Sequence, residues 1–184
     1  MDTQTQTKTK FSGNYFSGII KYGLLIGLGL SLFVLIRFVF NKPISSIMSY
    51  LEIICLLFLI YFGVWLYRKG LKEKKISYKE SYFVAFGSGI IGSIIYGMFV
   101  FVYANYIDSA FQDRCFAIQR AVSTNANLTN QQIEYMVKPS SIAASSILIV
   151  SLISILSGFI IAFLFINKKR KMQNKEDKEN KNID

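Results

Sequence analysis

The sequence contains no histidine. That absence excludes a His-activated nucleophile, a zinc site with imidazole ligands and a pH switch built on imidazole. Its two cysteines, Cys55 and Cys115, are too few for a four-cysteine metal site or a disulfide framework. Charge is also missing from long stretches. The windows 22–40, 44–67, 82–107 and 140–166 hold Arg37 and Glu52 and no other charged residue. Surface helices of a soluble domain need a polar face, so this segregation excludes an ordinary soluble fold. With about half of the 184 residues in lipid, the remainder leaves no room for an independent soluble catalytic domain. The windows also lack paired acids and a serine–base set, so no enzymatic activity, cofactor or metal is expected.

What is present fits a small polytopic membrane protein. A span needs about 20 mostly apolar residues, and windows two to four clear that length. The first is shorter and extends backward through Ile20, Ile19 and Phe16, with Lys21 reaching to the interface. A signal peptide fits less well, because the preceding segment is long for a charged n-region and no A-x-A pattern follows. The fold expected is all-α. Four transmembrane helices, spans about 18–40, 44–67, 82–107 and 140–166, form an antiparallel bundle within a membrane domain 16–167. Short amphipathic helices occupy the outer loop 108–139. A tail 1–15 precedes the bundle, and a basic tail 168–184, polar with no apolar face, is expected to be disordered.

Loop charge sets orientation. Lys and Arg cluster in the N-terminal tail, in the loop from Arg68 to Lys79 and after Lys168. The other side carries only Arg37, Lys42, Arg114, Arg120 and Lys138. Both termini are therefore expected in the cytoplasm. The net charge of +10 is read as this topology signal together with attraction to anionic lipid headgroups. Nucleic acid is not expected as a partner, since no basic patch with interleaved aromatics stands apart from the spans.

Local signals mark the joints. Ser77-Tyr78-Lys79-Glu80 reads as a capping box entering span three. Asn41-Lys42-Pro43 reads as a tight outer turn that makes spans one and two a hairpin. In the outer loop, Phe111, Cys115, Ile118 and Val122 share one helical face. Thr129-Asn130-Gln131-Gln132 starts a second short helix followed by Ile133, Met136 and Val137. The pair reads as a lid over the helix ends, with a ligand or partner surface as the alternative. Asn127-Leu128-Thr129 is a formal sequon, meaningful only in a eukaryotic secretory protein. Trp65, Tyr67, Tyr103 and Tyr106 are placed in interfacial aromatic belts.

Gly87-Ser88-Gly89-Ile90-Ile91-Gly92 matches a dinucleotide fingerprint by letter, but that motif needs a strand before it and a helix starting at it. Inside an uncharged helical run it reads as packing. Ala85, Gly89, Ser93 and Gly97 recur every fourth residue, with Gly92 beside them. Gly23 and Gly27 repeat the pattern in span one, and Ser154, Gly158 and Ala162 in span four. Such spacing lets helix backbones approach closely in lipid, and it makes span three central.

Glu52 lies eight residues into the second window, roughly 12 Å deep at 1.5 Å per residue. An ionisable residue at that depth is a candidate functional site whose partner must be named. Arg37, on the neighbouring span and roughly 6 Å deep, is that partner. Two readings stand: an ion pair that locks the hairpin, or a proton or cation site. A third leaves Glu52 protonated or snorkelling without a role. Ser31, Ser45, Ser46, Ser49, Tyr50 and Ser145 are the polar groups available to face it. Cys55 reads as a packing residue, and Cys115 as part of a buried loop face.

One resemblance rests on the order of pieces. The Gly-rich start Lys21-Tyr22-Gly23-Leu24-Leu25-Ile26-Gly27-Leu28 comes first. Tyr67-Arg68 then enters a basic loop ahead of Ile76-Ser77-Tyr78-Lys79-Glu80-Ser81-Tyr82 and the glycine-rich third span. Tyr106-Ile107-Asp108-Ser109-Ala110-Phe111 follows, and then the helix start at Leu128-Thr129. Over about residues 15–170 this resembles the bacterial membrane family catalogued as domain of unknown function 4199. A proline would be expected where Ser109 stands. The resemblance implies a four-span inner-membrane protein and assigns no activity. The functional expectation is a non-enzymatic membrane component that packs with itself or a partner. The alternative is a small transporter or channel using Glu52.

Overall fold

The computed structural model describes residues 15–39, 46–71, 76–108, 110–122 and 128–180. All regular structure among them is helical: α1 Tyr15–Val39, α2 Ser46–Gly70, α3 Tyr78–Val102, α4 Phe111–Val122, α5 Asn130–Met136 and α6 Pro139–Asn180. A π-helical turn, Tyr103–Ile107, extends α3. Among the described residues four helices are long and apolar enough to cross a membrane: Tyr15–Val39, Ile47–Gly70, Tyr78–Ile107 and Pro139–Phe165. A helix of 25 residues is about 37 Å long, against a hydrocarbon core of about 30 Å. The outer turn at Asn41-Lys42-Pro43 and the sequon residue Asn127 lie outside the described residues.

The spans are apolar all round, as lipid requires, and what distinguishes their inner faces is size. Helix α3 is central and packs along both α1 and α6. A methyl group on Gly23 would stand 2.6 Å from Ile91 Cβ, and one on Gly92 would stand 2.7 Å from Ile26 Cγ2. Each glycine thus receives an isoleucine of the facing helix. On the other side of α3, Gly89 receives Ser154 and Gly97 receives Ile147. Ala85, Ser93, Ser154 and Ala162 are fully buried, and Gly158 lies against Tyr82 and Ala85. Most of the buried hydroxyls in these contacts bond back to their own helix, Ser31 to Gly27 O at 2.8 Å and Ser154 to Val150 O at 2.7 Å. Back-bonding of this kind satisfies the hydroxyl without a partner helix. Ser93 and Ser151 hydroxyls also meet between α3 and α6 at 2.9 Å. Every helix-packing residue named from the sequence is therefore used inside the single chain.

Several local outcomes differ from the sequence reading. The backbone of α6 runs as helix to Asn180, where a disordered tail was expected. Residues 168–180 are mostly Lys, Arg, Met, Gln and Glu, with Asn174, Asp177 and Asn180 among them and no Gly or Pro. Such residues propagate an existing helix at little cost. The box at Ser77 is half formed: Ser77 Oγ accepts from the Glu80 amide at 3.2 Å, but the Glu80 carboxylate instead accepts from Tyr67 OH at 2.7 Å. Tyr67 is accordingly buried rather than interfacial. The box at Thr129 is complete, with the Thr129 amide donating to Gln132 Oε1 at 2.8 Å. Trp65 stays at its span end, with the Lys69 ammonium 3.9 Å above the ring centroid.

Candidate functional site: an intramembrane charge cluster

Glu52 stands six residues into α2, about 9 Å along the axis from its first residue. Arg37 stands two residues before the end of α1. Because α1 and α2 are antiparallel neighbours, these positions coincide at the end of the bundle that carries α4. Arg37 Nη1 donates to Glu52 Oε2 at 2.8 Å, and the two side chains are only 12% and 20% exposed. The second oxygen, Oε1, accepts a hydrogen bond from Tyr96 OH of α3. One carboxylate therefore joins three helices. A buried carboxylate needs such donors, since an unpaired one would cost several kcal/mol of desolvation (roughly, by order of magnitude).

Tyr96 was not among the residues anticipated from the sequence. Its position carried a signal: it follows Ser93 by three residues and Gly92 by four, on the face that packs inward. A phenol on such a face must find an acceptor when buried, and Glu52 is the one acid within the four apolar windows.

Two cavities meet at this cluster. The first, about 210 Å³, lies among Leu30, Ser49, Glu52, Leu56, Tyr96 and Ser146. The second, about 260 Å³, reaches from Glu52, Arg37 and Tyr96 to Tyr103, Phe111 and Cys115. Of the polar groups named from the sequence as available to face Glu52, Ser49, Tyr50 and Ser145 are all exposed, and of these Ser49 lines the first cavity. Ser146, one residue after Ser145, takes the inward position instead. Ser31 is buried and bonded to Gly27 O. Ser45 and the side chain of Ser46 lie outside the described residues.

A second charge pair closes the same end. Asp108 is 5% exposed and accepts from Tyr103 OH at 2.9 Å and from Arg114 of α4. The π turn makes this geometry: the Asp108 amide donates to Tyr103 O at 3.0 Å, which brings carboxylate and phenol together across five residues. Tyr103 also packs edge-on against Phe111 at 5.4 Å between ring centroids. It is thus a buried strut rather than a belt residue, while Tyr106 is exposed. Phe111 and Cys115 of α4 face the second cavity, but Ile118 is exposed. The side chain of Val122 lies outside the described residues. In α5, Ile133 is buried and Met136 is exposed, and Val137, which caps the helix, is buried. Burial pushes the Cys115 thiol above its ordinary pKa; Arg114 pulls it down and Asp108 adds to the rise. Both cysteines are free.

Among the described residues no group of three or more Cys, Asp or Glu forms a metal-binding cluster. Gly87–Gly92 lies inside the uninterrupted helix α3, without the strand–turn–helix setting that the dinucleotide fingerprint requires.

Four apolar helices with a polar cluster between them define a membrane protein of helical-bundle type. The family model described as "Protein of unknown function (DUF4199)" matches residues 21–167. The chain belongs to that family. No curated protein and no solved structure matches it.

Proposed function

We propose that this is a non-enzymatic component of the bacterial inner membrane, spanning it four times with both termini in the cytoplasm. In this reading the Arg37–Glu52–Tyr96 cluster is a structural clamp near the outer end of the bundle. The observation that carries it is the engagement of both Glu52 oxygens by donors from two other helices. A carboxylate held twice and neutralised by arginine suits holding helices together better than capturing a passing cation. Orientation rests on the Lys and Arg bias of the loops, and the basic cytoplasmic segments would lie against anionic headgroups. A second copy or a membrane partner would have to use the lipid-facing surfaces, since the small-residue stripes are internal. The decisive experiment is a charge swap, Arg37→Glu with Glu52→Arg, followed by thermal unfolding in detergent. Each single change should lower the melting temperature and the swap should restore much of it. A swap no better than the single changes would count against the clamp. A reporter fused at Asn125 should read outside; a cytoplasmic reading overturns the orientation.

A second reading is a small transporter or channel with Glu52 as its proton or cation site. The observation favouring it is that the two cavities meet at Glu52. Proteoliposomes with a pH-sensitive interior dye test it. Proton or cation flux that Glu52→Gln abolishes, with folding intact, would replace the clamp by transport.

A further inference from the structure

We propose that the cavity between α2 and α6 binds a single-chain amphiphile with a neutral hydroxyl head, a long-chain primary alcohol in the simplest case, drawn laterally from the lipid. The inference depends on neither reading above. It starts from the way α2 and α6 touch lightly while both pack on the rest of the bundle. The gap has a floor of Leu30 and Leu56, both almost fully buried, and a rim of Ile53 and Ile149, 39% and 56% exposed. It therefore opens sideways, toward lipid.

The chemistry of the cavity is divided along the membrane normal. Its polar end holds Ser49, Glu52, Tyr96 and Ser146. Its apolar end descends past Leu56, ten residues into α2 and so about 15 Å from the start of that helix, near the bilayer centre. A head bound at Glu52 would point its chain toward the middle of the membrane, parallel to the lipid tails of the same leaflet.

The head group follows from charge. An ionised carboxylate offers about four acceptor sites, and Arg37 and Tyr96 use one each. A hydroxyl can donate to a remaining site and exchange a hydrogen bond with Ser146. A phosphate or carboxylate head would give up its hydration for no cation, because Glu52 lines this cavity while Arg37 lines the second one. An ammonium head gains little, because Arg37 already neutralises the glutamate. The volume, about 210 Å³, falls below the roughly 300–1,000 Å³ of pockets that enclose a drug-sized ligand. It accommodates the head and first carbons, and the rest of the chain would lie between the helices in lipid.

The test uses the full chain in nanodiscs and hexadecanol carrying a diazirine on one of its first carbons. Its methyl ether and the matching fatty acid serve as controls. After illumination, peptide mapping should place the adducts on the segments around Ile53 and Val150. Labelling by the alcohol should exceed that by the ether and by the acid about fivefold, the worth of a hydrogen bond or two. Ile149→Trp, which fills the mouth from an exposed position, should reduce it, and Ser146→Ala should reduce it without altering shape. The proposal is overturned by any of three results. These are equal labelling by alcohol and either control, adducts spread over lipid-facing positions such as Phe58 and Leu164, or labelling that neither variant changes.

Discussion

Tyr96 donates its hydroxyl to the one oxygen of Glu52 that Arg37 does not hold. The bond joins residues 44 positions apart and links α3 to a hairpin it otherwise touches mainly through α1. Tyr96→Phe keeps the ring and removes only the donor. It leaves Glu52 Oε1 short of one partner, and the expected loss is about 1–3 kcal/mol. Thermal unfolding in detergent should show a melting temperature lower by several degrees. An unchanged melting temperature would mean that water or Ser146 replaces the phenol at no cost.

The charge pair makes a sharper case. Removing Arg37 as Arg37→Leu strands the carboxylate in a low-dielectric site, at an expected cost of about 3–5 kcal/mol. Removing both charges, Arg37→Leu with Glu52→Leu, leaves no unpaired charge and strands only the Tyr96 hydroxyl, so it should recover much of that stability, since well-packed apolar pairs often match a buried ion pair. A double-mutant cycle measured by unfolding reads the difference directly. If the double variant loses the sum of the two single losses, the residues are not coupled.

Much of the bundle was legible because lipid leaves few choices. The spans follow from where charge is missing, and the central place of α3 follows from Gly89, Gly92 and Gly97, which admit Ser154, Ile26 and Ile147. Arg37 and Glu52 could be paired because an antiparallel hairpin makes their spans neighbours and a long arginine stem covers their difference in depth, roughly 6 Å. Tyr96 carried only a positional signal, its place beside Gly92 and Ser93 on the small-residue face, and that signal names no acceptor until α2 is placed against α3. The ambiguity of a phenol between core and interface misplaced Tyr67 and Tyr103. Both sit where belts are expected, but Glu80 and Asp108 draw them inward as hydrogen-bond donors. The Asp108–Arg114 pair depends on the π turn, whose extra residue per turn leaves no mark in hydropathy.

Glycine substitution tests the packing of α3 against its neighbours. Gly89→Leu and Gly97→Leu would drive side chains into Ser154 and Ile147 at positions where even a methyl group overlaps. Overpacking of this kind costs about 1–3 kcal/mol and often more where backbone blocks relief. Gly70→Leu is the control, because nothing lies within 4 Å of a methyl group there. Size-exclusion profiles of the three variants should show the first two aggregated or depleted and the third like the parent. Equal profiles would remove the close approach as a source of stability.

Cys115 reports on the second cavity. Its thiol lies against that cavity with Phe111 and Arg37, and burial holds its pKa above the ordinary thiol value. The thiolate is the reactive species, so a raised pKa means less of it at neutral pH. In a Cys55→Ala background, maleimide should therefore react with Cys115 more slowly than with an exposed thiol. Its rate should continue to climb at pH values where an ordinary thiol has levelled off. Arg114→Gln removes the cation that lowers this pKa and releases Asp108 from its partner on α4. If α4 is held over the cavity by that pair, its release exposes the thiol and speeds labelling at high pH, where the thiolate is abundant. Should labelling at high pH slow or stay unchanged, α4 is held by Phe111 packing against Tyr103 rather than by the Arg114–Asp108 pair.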